Sequence, residues 1–212
     1  MLTADISMSL DGFIAGPNPT IEQPLGEGGE RLHEWAIRLE SWREHHGLEG
    51  GAAGVDSDIL EETVRASGAI LVGRRMFSSG EGPWENDPKA NGWWGDTPPF
   101  GMPAYVLTHH AREPLELQGT TFYFVTDGIE SALEQARAAA GDRNVSIGGG
   151  ASVIQQYLAA GLLDQLQVHV VPLLLGGGTR LFADSLDAPP DLELDRVIDS
   201  PAVTHLRYRV RR

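Results

Sequence analysis

The chain contains no cysteine. Disulfides, thiolate metal centres and cysteine nucleophiles are therefore excluded. Positive charge is scarce: 16 Lys and Arg stand against 30 Asp and Glu, for a formal net charge of −14. That balance excludes a nucleic-acid partner, because a phosphate backbone needs a basic face. It leaves room for a small anionic ligand, since a few arginines can oppose the global sign locally. No apolar run approaches the length of a membrane span. The opening MLTADISMSLDG has no basic start and carries Asp5 inside its apolar stretch, so it does not read as a secretory signal, and the cytoplasm is the expected location. G-x-S-x-G, G-x-x-x-x-G-K-[ST] and H-E-x-x-H are also missing, which removes support for hydrolase and kinase chemistry. The pairs His45-His46 and His109-His110 do not read as metal sites, because adjacent side chains diverge and no third ligand has a recognisable spacing.

What remains is an ordinary globular composition, 41% hydrophobic and 22% charged over 212 residues, and one domain is expected. Residues 2–8 read as a first strand ended by Asp11-Gly12, and 12–28 as a long loop. Leu32, Trp35, Ala36, Leu39 and Trp42 at helical spacing predict one amphipathic helix over 29–46. Asp56 and Ser57 are candidate caps for a helix to about residue 66. AILVG (69–73) has the apolar continuity of a strand buried on both faces. AYVLT (104–108), TFYFVT (121–126), about 165–171, 192–199 and 203–210 complete the strands, with helices over 128–141 and 151–160. The insertion over 79–103, with three tryptophans, reads as a lid or a packing element. Alternating strands and helices followed by strands alone predict an α/β fold, with a mostly parallel central sheet, an antiparallel C-terminal edge and helices on both faces. HLRYRVRR (205–212) would suit either a homodimer edge or an edge blunted by charge.

Three strand ends carry unusual punctuation: GRRMF (73–77), LTHHAR (107–112) and GGGAS (148–152). In an open α/β sheet, ligands bind beyond the carboxyl ends of parallel strands. Gly148, Gly149 and Gly150 leave bare backbone at a helix start, which suits a phosphate, although Val153 breaks the G-x-G-x-x-G dinucleotide spacing. Arg74 and Arg75 offer planar forks for phosphate. Thr108, His109, His110 and Arg112 would suit a second phosphate and an adenine ring. Each feature has a plain alternative, as a turn or a solvated surface pair.

Together with ISMSLDGFIAG (6–16), ILVGRRMF (70–77), PAYVLTHH (103–110), VSIGGGASVIQQYL (145–158) and LLDQLQVHVVPLLLGGGTRLF (162–182), these segments resemble the dihydrofolate-reductase-like superfamily. The similarity is greatest to its branch related to the reductase domain of bacterial riboflavin biosynthesis, and it runs along nearly the whole chain in order. The resemblance implies a three-layer fold and an NADPH-dependent reductase. By position it puts Gly73, Arg74, Arg75 and Met76 near the cofactor phosphates, and Thr108, His109 and His110 around the adenine ribose. Gly148, Gly149, Gly150, Ala151 and Ser152 would receive the pyrophosphate, and Ser7, Ile14 and Ala15 would lie by the nicotinamide.

The substrate is less marked. Dihydrofolate reductases proper carry an acid on the first helix, and Glu30 and Glu34 offer one here, outside the usual context. His169 stands where their pterin-contacting threonine would be; it reads equally as a core histidine or as a cleft-facing acid. The expected cleft is bounded by Asp11, Glu34, Trp35, Trp84 and His169, with Asp11, Glu34 and His169 as candidate catalytic groups and no metal. The reading is hydride transfer to a small pterin- or aminopyrimidine-like heterocycle or to a carbonyl. The alternatives are dihydrofolate reduction or a riboflavin-pathway reductase, and a nucleotide-binding module without turnover.

Overall fold

The alternation of strand and helix is realised as a nine-stranded sheet. A computed structural model describes residues 1–182 and 189–211. Along the chain these form β1 (Leu2–Ser9), β2 (Phe13–Ala15), α1 (Glu34–Ile37), α2 (Glu40–His45), α3 (Val55–Ala66), β3 (Ser67–Gly73) and α4 (Arg74–Ser78). There follow β4 (Ala104–Leu107), β5 (Leu115–Leu117), β6 (Thr120–Val125), α5 (Ile129–Ala140), β7 (Asn144–Gly149) and α6 (Ala151–Ala159). The last are β8 (Gln165–Val171), β9 (Thr179–Arg180), β10 (Asp191–Asp199) and β11 (Thr204–Arg211).

The strand order is β10-β11-β8-β1-β7-β3-β4-β6-β5. The six strands from β8 to β6 run parallel. β11 joins β8 antiparallel and β10 joins β11 antiparallel, while β5 closes the other side antiparallel to β6. The expected mixed sheet with an antiparallel C-terminal edge is therefore present. That edge is open: Leu192, Leu194 and Val197 on β10 are 40%, 55% and 52% exposed.

Period-two alternation in the strands sorts the layers. Leu2, Ala4, Ala69, Leu71, Val145, Ile147, Leu166 and Val168 face α5 and α6, forming the main core. The opposite face carries two clusters. Leu32, Trp35, Ala36 and Leu39 pack on Val171 and Leu173 over the C-terminal half of the sheet. Over β3, β4 and β6, Phe77, Trp84, Trp94 and Phe100 cover Ile70, Val72, Val106, Phe122 and Phe124. The insertion over 79–103 is thus a packing layer of aromatic rings standing where a helix would otherwise cover the sheet.

Three local expectations are corrected. The segment 29–46 is not one helix: a 3-10 turn (Gly29–Leu32), α1 and α2 share it. Its apolar positions do face the core, but Leu39 is extended (φ −77°, ψ 148°) and its neighbours pair with a second segment. Glu40 N–H donates to Ala52 C=O and Ala52 N–H to Arg38 C=O, so a non-local backbone ladder overrides helical propensity there. Nor do Asp56 and Ser57 cap α3, whose N-cap is Gly54. Asp56 is drawn to His205 and Ser200, and Ser57 to Ser41. The loop expected over 12–28 also contains β2, which pairs with β9.

Candidate functional site

The parallel order β1-β7-β3-β4 brings the carboxyl ends of four neighbouring strands to one edge of the sheet. The punctuated segments therefore meet. Gly73 ends β3 in register with Leu107 of β4, and Val72 pairs with Gly149 of β7. A Cβ on Gly73 would lie 3.0 Å from Val153 Cγ2 and 3.9 Å from the Gly150 nitrogen, and one on Gly149 would lie 3.6 Å from Met76.

The three glycines have three different reasons. A Cβ on Gly148 would come within 2.6 Å of Ile70 Cδ1, so close packing removes that side chain. Gly149 has φ +132°, a conformation L side chains rarely adopt. Gly150, joined to Gly149 by a cis peptide bond, has extended φ and ψ at the N-cap of α6, and a Cβ there would meet nothing within 4 Å. Of the three, only this position has open space where a side chain would stand and no positive φ. It lies where the first N–H groups of a nine-residue helix open without a side-chain cap. Ala151 is buried behind it and Ser152 is exposed.

The two arginines diverge. Arg74 is 8% exposed and committed inward. Its guanidinium pairs with Asp87 at 2.5 Å, bonds the Ser78 hydroxyl and stacks 3.6 Å over Trp84. Ser78 and Arg74 together hold the Asp87 carboxyl below the usual carboxylate range against the penalty of burial. Arg75 is exposed at the start of α4 and, among the described residues, pairs with the similarly exposed Glu81. The Trp84 indole N–H donates to His110 C=O at 2.7 Å, and the Arg112 guanidinium lies 4.8 Å from the Trp84 ring centroid. Trp84 therefore pins the aromatic layer to the end of β4. Beside it, the Thr108 hydroxyl accepts from His110 N–H, and the His109 side chain is exposed.

Toward β1 the environment changes from arginines to a buried polar row. Ser7 pairs in register with His169 across β1 and β8. The Trp35 indole N–H donates to Ser7 Oγ at 3.1 Å, and its ring centroid lies 4.8 Å from that of His169. His169 is 2% exposed, with Nε2 2.6 Å from Asp5 and Nδ1 2.6 Å from His205 Nδ1. His205 Nε2 lies 2.9 Å from Asp56. Both His169 nitrogens are thus occupied, which describes a satisfied core histidine rather than a cleft-facing acid. Asp5, Asp56 and His205 were missed in sequence. The available signal was Asp5, a charge inside an apolar first strand.

The other expected substrate groups are dispersed. Glu34 and Glu30 are exposed, because Leu32, Trp35 and Ala36 take the inward positions of their turns; Glu34 pairs with Arg38. Trp35 and Trp84 occupy separate clusters on the same sheet face. Ile14 is buried in β2, with Ala15 half-buried beside it. Asp11 is a loop anchor. Its carboxylate accepts from the Ser9 hydroxyl at 2.6 Å and from Leu175 N–H and Gly176 N–H, tying the turn after β1 to the loop after β8. Those bonds, the Ser9 hydroxyl first, hold its carboxyl down to about 2. A depressed carboxyl stabilises the fold above its ordinary value of 3.8, and the contribution is lost as pH falls through the folded value. Asp11→Ala should therefore raise amide exchange at Leu175 and Gly176 at neutral pH, with little change in exchange within β1. The same two amides in the unmodified protein should lose protection between pH 4 and about 2.

The comparisons agree with this architecture. The family model for the RibD C-terminal domain matches residues 1–206. Among solved structures, a candidate riboflavin biosynthesis protein from Shewanella sp. PV-4 superposes with TM-score 0.67 at 19% identity, over 100% of this chain and 99% of that one. Acinetobacter baumannii RibD gives 0.58 at 16% identity, over 100% of this chain and 58% of that longer one. Enterococcus faecalis dihydrofolate reductase, complexed with NADP(H) and RAB-propyl, gives 0.50 at 14%, over 99% and 96%. No curated protein matches. At these identities the structures establish the dihydrofolate-reductase-like fold, and the family model establishes membership: the chain belongs to the RibD C-terminal domain family.

Proposed function

We propose that this protein is an NADPH-dependent reductase that delivers hydride to a carbonyl or a small aminopyrimidine-like heterocycle. The observation that carries the reading is the open space over Gly150, at the uncapped start of α6 and beside Gly73 and Met76. A pyrophosphate fits that position, receiving backbone N–H donors and the favourable end of the helix dipole. Arg75, exposed at the end of the adjacent strand β3, is the arginine available to a further phosphate, since Arg74 is spent on Asp87. Thr108 and His109 at the end of β4 continue the same line. A dihydrofolate reductase of this fold is complexed with NADP(H), which supports a nicotinamide cofactor here.

The cofactor would supply the hydride. This chain's residues would orient it, exclude water and hold the acceptor near Ser7 and Trp35, between the two clusters on the α3 side of the sheet. With Glu30 and Glu34 in solvent, neither supplies the acid that dihydrofolate reductases use for the pterin, which favours a carbonyl or aminopyrimidine acceptor over dihydrofolate.

Calorimetry with NADPH and NADH tests the reading. NADPH should bind at micromolar concentration. Arg75→Ala should weaken it by at least about tenfold, the equivalent of about 1.4 kcal/mol, with little effect on NADH. No binding tighter than millimolar would refute the function. Binding without turnover on carbonyls, aminopyrimidines and pterins would leave a nucleotide-binding module.

A further inference from the structure

We propose that Asp5, His169, His205 and Asp56 form a one-proton lock that holds Trp35 over Ser7, making the acceptor end of the site sensitive to protonation of groups that touch no ligand. It rests on the function proposed above only in calling that end the acceptor site.

The four groups make three consecutive contacts: Asp5 to His169 Nε2 at 2.6 Å, His169 Nδ1 to His205 Nδ1 at 2.6 Å, and His205 Nε2 to Asp56 at 2.9 Å. Each contact requires one hydrogen. Two neutral imidazoles carry one N–H each, and two ionised carboxylates carry none. If both N–H groups point outward to the carboxylates, the central contact sets two lone pairs against each other at hydrogen-bond distance. Three hydrogens satisfy the row, so it holds one proton beyond two neutral histidines and has a net charge of −1.

The carboxylates are poor homes for that proton. The other oxygen of Asp5 accepts from the Thr63 hydroxyl at 3.0 Å and from Gln167 Nε2 at 2.7 Å, as an ionised acceptor would. The other oxygen of Asp56 lies 3.1 Å from the Ser200 hydroxyl. The Asp5 carboxyl is held below its ordinary value by His169, Thr63 and Gln167, against the opposing effect of burial. Burial pushes His205 below the ordinary histidine value. The extra proton accordingly belongs to the pair of imidazoles, between the two carboxylates.

The surroundings fit a device with a proton exit. β1 contributes Asp5, β8 Gln167 and His169, β11 His205 and Arg207, and α3 Asp56, Glu62 and Thr63. Arg207 and, from β10, Arg196 both pair with Glu62. From the turn before α1, half-buried His33 is held below its usual value by loss of solvent and then by the charge of His169. Asp5 also lines a polar pocket of about 170 Å³ with Thr3, Thr63, Gln165, Gln167 and Arg207, large enough for water to reach one end of the row. The rings of His169 and His205 lie 4.8 and 5.4 Å from Trp35, whose N–H holds Ser7. Loss of the proton would force the facing nitrogens apart and remove that support.

Nitrogen NMR of histidine-labelled protein at neutral pH should find three of the four ring nitrogens of His169 and His205 protonated; two would overturn the proposal. On raising the pH, the Trp35 indole resonance, identified by Trp35→Phe, should shift in step with loss of the third proton. A Trp35 signal that ignores that transition would overturn the lock. Asp56→Asn keeps an acceptor and removes a charge, so the transition should move down by roughly 1–3 pH units; an unmoved transition counts against the row. These readouts need neither cofactor nor substrate, so the lock and the proposed function fail separately.

Discussion

Asp87→Ala should destabilise the protein by about 3–5 kcal/mol, the usual consequence of leaving one member of a buried ion pair without its partner. Arg74 and Asp87 have side chains only 8% and 3% exposed, with Ser78 bonded to both. Removing the carboxylate strands the Arg74 charge beneath Trp84. Water cannot replace the partner without opening the aromatic layer, so Trp84, Trp94 and Phe100 should loosen with it. Urea denaturation followed by tryptophan fluorescence reads the loss directly. The informative control is the double variant Arg74→Met with Asp87→Leu. It removes both charges and should recover most of the stability, because a well-packed apolar pair often matches a buried ion pair. If Asp87→Ala unfolds at the unmodified midpoint, the pair does not secure the insertion.

Gly150→Val and Gly149→Ala, one residue apart, should separate binding from stability. Gly150 has extended φ and ψ and empty space where its Cβ would stand. Valine there should leave the unfolding midpoint nearly unchanged and weaken NADPH by well over tenfold, more than about 1.4 kcal/mol, by filling the place of the pyrophosphate. Gly149, with φ +132°, should respond in the opposite way. Alanine in that glycine-only region costs about 1–3 kcal/mol of stability. Calorimetric titration and thermal unfolding of both variants decide the matter. Equal NADPH affinity in Gly150→Val would remove the glycine run from the binding site.

Parts of this were legible in the chain, for identifiable reasons. Continuous apolar runs marked β3 and β4, because a strand covered on both faces needs no polar alternation. The period of Leu32, Trp35, Ala36 and Leu39 named the buried face even though the helix itself breaks at Leu39, since the break comes from pairing with Ala52, a partner outside any local window. Pairing choices of that kind also hid β2, whose three residues are a strand only because β9 lies beside them. Arg74 and Arg75 are indistinguishable as letters. Asp87, thirteen residues along, makes one a structural cation and leaves the other exposed at the surface.

By itself the sequence determined the α/β class, the resemblance to one family and the three strand ends that meet at a common edge, because these depend on local periodicity, turn chemistry and order along the chain. Only the tertiary structure decided what individual polar side chains do. Asp11 became a loop anchor, Trp84 a pin, Glu34 a solvent group and His169 the centre of a buried row. A charged or hydrogen-bonding group takes its role from the partners that burial brings within about 3 Å, and those partners come from strands and helices far apart in sequence.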